Sequence, residues 1–256
     1  EILDLAVSGG VESQIFSTGK AINSYEIGAD LSILLPRLLV PFKFKNSGLN
    51  TEIPKTRIRL GDHLLQRAGY YRFNRSNVNF GYTWNENKQK YHQLDLVELN
   101  YVFLGSSTPE FDALLANNLT LKESFKDQFI IGGNYSFTYS NELTNPRRNQ
   151  FYFKGNLDYS GNFIHLLTNT FGDKDSANEL FGIPYSQYVR FTTDLRYFLT
   201  FDDKNKLATR LITGVGLAYG NSTQLPYVRQ FFAGGSNSIR AFPARGIGPG
   251  DYQSKD

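Results

Sequence analysis

The sequence of 256 residues predicts an all-β fold, a transmembrane antiparallel β-barrel. Apolar and polar residues alternate along most of the chain, which is the periodicity of strands that have one apolar and one polar face. Aromatic residues make up 15% of the chain and gather near the ends of the alternating segments, where membrane barrels carry aromatic girdles. No stretch approaches the roughly 20 apolar residues of a spanning helix, so a membrane protein with this sequence must cross as a barrel.

The alternation is clearest between Val189 and Asp202, where every odd position except Thr193 is apolar or aromatic and most even positions are polar. Leu207 to Gly220 repeats the pattern after a short polar stretch, which predicts a hairpin with a tight turn. Further alternating segments lie at 3–12, 27–33, 57–60, 77–85, 94–103, 129–139 and 151–159. We therefore predict nine strands, most of them about 10 to 14 residues long, which suits tilted membrane strands of roughly 9 to 11 residues.

The segment around Val97 changes the phase of its alternation. Apolar residues occupy even positions at Leu94 and Leu96 and odd positions from Leu99 onward. An extra residue in one strand produces such a shift, so we predict a β-bulge near Val97.

The predicted connections differ in length between the two ends of the strands. Those at 86–89 and 202–206 are short, whereas those at 105–126 and 162–187 are long. In outer-membrane barrels the short turns are periplasmic and the long loops extracellular. The stretch 36–54 breaks this rule, because it is long but falls on the side of the short turns.

One long loop contains a predicted helix. Thr108 precedes Pro109 and Glu110, which is a typical helix start. We expect the apolar residues of this helix to cap the barrel mouth. They are Phe111, Leu114 and Leu115.

A large soluble β-sandwich is the alternative interpretation of the alternation, since its strands can also have one solvent-exposed, polar face. The aromatic residues at strand ends favour the membrane, because they match the interfacial girdles of a barrel. These residues are Trp84, Phe103, Tyr139, Phe151, Tyr159, Phe201 and Tyr219.

The composition offers little for catalysis. The chain has no Cys, and its three His residues lie in separate segments without the spacing of metal ligands. The stretch 234–238 differs from a nucleophile elbow in its last residue and lacks the ending of a phosphate-binding loop. We therefore expect neither enzyme activity nor a cofactor. The net charge is only +3 and the basic residues are scattered, so the sequence does not predict a basic surface for nucleic-acid binding.

The segment from Leu225 to Tyr252 is the most distinctive part of the chain. Aromatic residues lead into a double glycine, Arg240 follows among apolar residues, and a second glycine cluster surrounds Pro249. The glycines allow sharp reversals, and Ile239 and Phe242 disfavour water, so we predict a loop that folds back and packs. The candidate functional residues are Gly234, Gly235, Ser236, Ile239, Arg240, Ala241, Phe242, Gly248 and Pro249.

This segment resembles the sixth extracellular loop of the BamA/TamA family of outer-membrane barrel assembly factors, also called the bacterial surface antigen family. The loop motif of that family is an aliphatic residue followed by Arg, Gly and an aromatic residue. Here it reads Ile239-Arg240-Ala241-Phe242, with Ala in place of Gly. The preceding FFAGGSNS and the following IGPG also match. The likeness is closest to the TamA-like branch, and it extends through the hairpin 188–220 and more loosely to residue 1.

The resemblance implies a barrel of sixteen strands that is preceded by periplasmic POTRA domains. If 207–220 corresponds to the eleventh strand, the chain holds strands three to eleven. Residues 1–256 would then form a partial barrel domain that ends within the sixth extracellular loop. The sequence has no Met and no signal peptide, so we expect a processed or partial form without POTRA domains.

The resemblance also implies a protein of the bacterial outer membrane that inserts, folds or translocates other proteins without covalent chemistry. Its expected partners are the lipid bilayer, nascent outer-membrane proteins and periplasmic or lipoprotein subunits of an assembly complex. In the family the loop Arg enters the lumen and meets acidic side chains, and Arg240 would take that role. The interior acids expected in this chain are Asp158 and Asp194, whereas the usual partners of the loop Arg lie on strands beyond it.

Two other functions stay open. A two-partner secretion transporter shares the loop motif and would be distinguished by a plug helix and two POTRA domains. An ordinary porin-like channel or an outer-membrane lipid enzyme lacks the Ile-Arg-x-Phe loop, and a phospholipase also needs a paired Ser and His. The number of POTRA domains in the complete protein would separate most of these functions.

Overall fold

The computed structural model describes residues 2–13, 23–40, 54–117, 119–142, 149–171, 179–180, 183–202, 204–235, 238–242 and 245. The nine predicted segments all form strands, and each pairs antiparallel with its neighbour in a single nine-stranded sheet. These strands are β1 (Ile2–Ser13), β2 (Asn23–Leu35), β3 (Lys55–Arg67), β4 (Tyr71–Asn87), β5 (Lys90–Ser107), β6 (Gln128–Ser140), β7 (Asn149–Ser160), β10 (Tyr188–Thr200) and β11 (Lys206–Ala218). The all-β antiparallel fold is therefore confirmed.

The elements between these strands are short. Two helices follow β5, namely α1 (Pro109–Asn117) and α2 (Leu119–Phe125), and α3 (Asn162–Phe171) follows β7. A small separate hairpin pairs β8 (Glu179–Leu180) with β9 (Ile183–Pro184). In the described parts of the chain, no helix has the length and apolar character needed to cross a membrane.

The sheet runs in the order β1-β2-β3-β4-β5-β6-β7-β10-β11, and in its described residues β1 and β11 do not pair with each other. One end of the strands carries the turn between β4 and β5 and the turn between β10 and β11; we call it the short-turn end. The other carries α1, α2 and α3 and is called the long-loop end. This end also has a three-residue turn between β3 and β4, at 68–70, so loop length does not separate the two ends completely.

The two faces of the sheet differ in polarity, as the alternation predicts. Residues directly opposite each other on paired strands share a face, and one such row is mostly polar and charged. It runs through Arg57, Gly81, Asp95, Asn134, Asp158, Arg190 and Gly216. We call this the inner face, since a barrel turns its polar face to the lumen. The opposite, outer face carries exposed apolar residues such as Ile27, Leu60, Val78, Leu211 and Val215.

The predicted bulge in β5 is confirmed. The pairing register shifts between Asp95 and Val97 on the β4 side of the strand and between Asp95 and Glu98 on the β6 side. Because the shift inserts one extra residue, Asp95 and Glu98 both lie on the inner face although they are three residues apart. Leu96 and Val97 between them remain exposed. The bulge therefore adds a second carboxylate to the inner face of one strand.

The predicted helix start at Thr108 is also confirmed. Its backbone carbonyl accepts a hydrogen bond from the Asp112 N–H at 2.9 Å, and α1 begins at the next residue. Phe111 is buried and packs on Tyr71, whose strand register places it on the inner face, and on Phe125 of α2. Leu114 is exposed, so only part of the predicted apolar cap contacts the sheet.

Candidate functional site

The chain after β11 reverses direction and returns over the inner face. Gly220, at φ 63°, adopts a left-handed conformation that glycine allows without strain. The Asn221 N–H then donates to the side-chain oxygen of Gln187 at 2.9 Å, and the Asn221 amide donates to the carbonyl of Tyr185 at 2.6 Å. These bonds tie the start of the loop to the segment that enters β10.

Two glycines on the inner face of β11 make room for the loop. A Cβ added at Gly216 would lie 2.5 Å from the Leu225 side chain, and one at Gly214 would collide with the Phe231 ring. The same ring lies 4.5 Å from the guanidinium carbon of Arg190, in a cation–π contact. The absence of side chains at Gly214 and Gly216 thus provides the seat on which the loop packs.

A 3-10 turn, Tyr227–Arg229, carries the loop away from β11 towards the middle of the sheet. The guanidinium of Arg229 forms an ion pair with the Glu98 carboxylate on β5, and both side chains are largely buried. Burial lowers the pKa of Arg229, but the facing Tyr188 and Glu98 groups outweigh it, so this pKa is raised above its ordinary value. The loop segment 221–235 therefore spans the inner face from β11 to β5.

Arg245 holds the loop together internally. Its guanidinium donates to the Tyr227 carbonyl at 2.6 Å and to the Gln230 side chain at 3.0 Å. The same group lies over the rings of Tyr227 and Phe232, at 3.7 and 4.8 Å from their centroids. Its backbone has φ 64° and its N–H donates to the Ala233 carbonyl, so the chain closes back on itself at this point.

The predicted glycine pair lies at the base of a tight reversal. Gly234 and Gly235 have φ of 91° and 86°, and the Gly235 N–H donates to the Phe242 carbonyl at 2.9 Å. A turn closes at the tip, where the Phe242 N–H donates to the Ile239 carbonyl at 3.1 Å. The need for left-handed glycines here agrees with the predicted sharp reversal.

The motif residues themselves are more exposed than predicted. Ile239 and Phe242 are about half exposed, at 48% and 50%, and Arg240 and Ala241 are exposed as well. Leu225 and Phe231, on the β11 side of the motif, make the contacts with the inner face of β11, although Phe231 is itself 46% exposed. The remaining candidates, Ser236, Gly248 and Pro249, lie outside the described residues.

Several acidic residues of the inner face are paired with basic neighbours. Asp158 accepts a hydrogen bond from Arg190 at 2.9 Å, and Asp194 accepts from Arg196 at 2.7 Å and Arg210 at 2.8 Å. Sequence reasoning found these two acids but missed other inner-face carboxylates, two of which flank the bulge in β5. These are Asp95, which pairs with Arg57 at 2.5 Å, and Glu98. The phase change near Val97 was the signal that could have revealed them.

The histidines do not form a metal site. Each has a separate polar neighbour: Asp30 at 3.0 Å for His63, Tyr135 at 2.8 Å for His92 and Tyr185 at 3.1 Å for His165. In the part of the chain that the structure describes, no three His, Asp or Glu side chains are grouped as metal ligands would be. The geometry of the inner face is that of a docking surface for a loop.

An open antiparallel sheet with one polar and one apolar face, and a loop that packs on glycines of the polar face, are the features of part of a membrane β-barrel wall. The family model of the Omp85 superfamily domain matches residues 14–256. The chain therefore belongs to the Omp85 superfamily, whose outer-membrane β-barrels serve protein insertion and secretion.

Proposed function

We propose that the protein is an outer-membrane assembly factor of the BamA/TamA type, which inserts other proteins into this membrane or translocates them. Its clients would be nascent outer-membrane proteins, with periplasmic or lipoprotein subunits as further partners. The proposal assigns no catalytic residue and no cofactor. It is the superfamily function that best fits a loop held on the inner face, and the Ile239-Arg240-Ala241-Phe242 motif supports the BamA/TamA type.

One observation carries the proposal: the loop segment 221–235 spans the inner face and is held on β11 and on β5. Leu225 and Phe231 sit on glycines of β11, and Arg229 pairs with Glu98 on β5. A chain held across the polar face narrows the lumen and braces distant strands against each other. Such an arrangement suits a barrel that keeps its interior closed while its wall interacts with client strands.

A porin-like channel is disfavoured by the same observation, because the loop occupies the surface that would line an open pore. A two-partner secretion transporter remains the second candidate, since the superfamily includes secretion. In an assembly factor, an incoming strand pairs with exposed backbone groups of the barrel wall by β-augmentation. In a transporter, a single dedicated polypeptide would pass through the lumen after the loop moves aside.

Depletion of the full-length protein in its host distinguishes these functions. We expect several unrelated outer-membrane proteins to lose their heat-modifiable folded forms, and the wild-type protein to restore them. Loss of one exported polypeptide alone would instead indicate a secretion transporter, and loss of small-solute uptake alone would indicate a channel. Asp112→Asn, a change at an exposed position on α1, is the control variant and should restore these folded forms as well as the wild-type protein does.

A further inference from the structure

The helix α3 packs on the outer face of the sheet. Its Ile164 is buried together with Phe129 of β6 and Tyr185. Phe129 and Ile131 lie opposite Tyr101 and Leu99 of β5, and these four residues share the outer face. The cluster therefore lies on the outer face of the sheet, opposite the inner face that the loop covers.

The other apolar residues described on α3 point away from this cluster. Phe163 is 67% exposed and Leu166 is 63% exposed, among the largest values for apolar side chains in the described chain. Two polar residues of the helix have protein partners: His165 bonds the Tyr185 hydroxyl at 3.1 Å, and Asn162 accepts from the Tyr219 hydroxyl at 2.6 Å. The helix thus engages the protein through Asn162, Ile164 and His165, and exposes Phe163 and Leu166.

Two rows of aromatic residues on the outer face indicate the position of α3 along the membrane normal. Near the short-turn end, Trp84 stacks on His92 at 4.8 Å, and Phe137 lies opposite His92. At the other end, Tyr101 lies opposite Phe129, where α3 packs. Phe129 and Phe137 are eight residues apart on β6, so the strand rise between the rows is about 27 Å. At a tilt of about 40° this is about 21 Å along the membrane normal, close to the roughly 25 Å apolar band between aromatic girdles.

We propose that α3 lies in the membrane interface at the long-loop end, with Phe163 and Leu166 inserted among the acyl chains of the lipid leaflet there. The helix packs on one aromatic girdle, so its exposed apolar residues continue the outer face that meets lipid. Amphipathic helices in this zone bury an apolar face about 5 to 10 Å into the boundary between headgroups and acyl chains. The inference rests on the barrel fold and is independent of which proteins the barrel handles.

Single cysteine labels in the full-length protein test this inference. The chain has no Cys, so Phe163→Cys and Leu166→Cys introduce unique sites within it for an environment-sensitive fluorophore, with any other reactive Cys of the full-length protein replaced. The labelled protein is folded into phosphatidylcholine vesicles whose acyl chains carry bromine. Asp112→Cys on α1 is the aqueous control, and Leu211→Cys on the outer face is the lipid control. Heat-modifiable migration confirms that each variant is folded.

We expect labels at 163 and 166 to be quenched by the brominated lipid nearly as strongly as the label at 211. Aqueous iodide should quench them at least about threefold less than the label at 112, because acyl chains exclude the ion. Quenching equal to that at 112 would mean that α3 faces water and would overturn the proposal. Shielding from both iodide and brominated lipid would mean that a protein partner covers the helix, and would overturn it as well.

Discussion

Arg229, in the loop that follows β11, forms an ion pair with Glu98 on β5, which lies 131 residues earlier in the chain. The contact crosses the inner face of the sheet from one of its outermost strands to its middle. It requires the bulge in β5, because without the register shift between Asp95 and Glu98 the Glu98 side chain would point to the outer face. A local irregularity in one strand thus provides the anchor for a distant loop.

Removal of this anchor should release the loop. Glu98→Gln leaves the loop sequence unchanged but removes a charged hydrogen-bond partner of Arg229, which is worth about 1.5 to 3 kcal/mol. We expect faster proteinase K cleavage in 221–235 of the folded full-length protein. The exchange Glu98→Arg with Arg229→Glu should restore resistance in part. Equal cleavage rates in wild type, Glu98→Gln and the exchange would show that the pair does not hold the loop.

The glycine seat should be equally sensitive to added volume. Gly214→Val places a branched side chain where the Phe231 ring now lies, and overpacking of this kind costs about 1 to 3 kcal/mol. We expect the loop to detach while the strands remain folded. Gly10→Val is the matched control, since in the described part of the chain a Cβ at Gly10 would have no non-neighbouring heavy atom within 4 Å. If both variants show the same protease pattern as wild type, Gly214 is not a seat for Phe231.

The two faces of β11 should respond oppositely to charge. Leu211→Arg puts a charge on the outer face and should destabilise the inserted protein by about 2 to 4 kcal/mol if it lies near the bilayer midplane. Ile212→Arg changes the next residue, an equally exposed apolar side chain that lies on the inner face opposite Asp194, and should be tolerated. Urea unfolding in lipid vesicles measures both. A larger loss for Ile212→Arg would reverse the assignment of the faces.

Arg240 is expected to anchor the tip of the loop against carboxylates on strands outside this sequence. Arg240 is exposed in the described chain, so such a pair would be buried only once those strands cover it; breaking a buried pair typically costs about 3 to 5 kcal/mol. Arg240→Ala should therefore expose 236–251 to protease and reduce assembly activity, and Arg240→Lys should rescue poorly because Lys lacks the planar fork. Ala241→Gly should be tolerated. Limited proteolysis of the full-length protein in detergent measures this, and unchanged cleavage in Arg240→Ala would contradict the role.

Several features were predictable because they depend on neighbouring residues alone. Alternation with a period of two places successive side chains on opposite faces, so it revealed all nine strands and the outward position of residues such as Leu211. The phase change near Val97 revealed the bulge by the same logic. The start of α1 followed from Thr108 and Pro109, whose backbone preferences are local.

Other features depended on which distant segments meet. No local pattern indicates that Arg229 faces Glu98, or that Gly214 and Gly216 receive Phe231 and Leu225. The motif Ile239-Arg240-Ala241-Phe242 directed attention to the tip of the loop, whereas its packing is carried by residues nearer β11. Strand periodicity fixes the face of each residue, but the contacts across a face are decided by register, bulges and the path of the returning loop. The sequence alone therefore determined the strands and their polarity, and only the tertiary structure decided where the loop and α3 dock, because docking joins surfaces that become neighbours only after the sheet has formed.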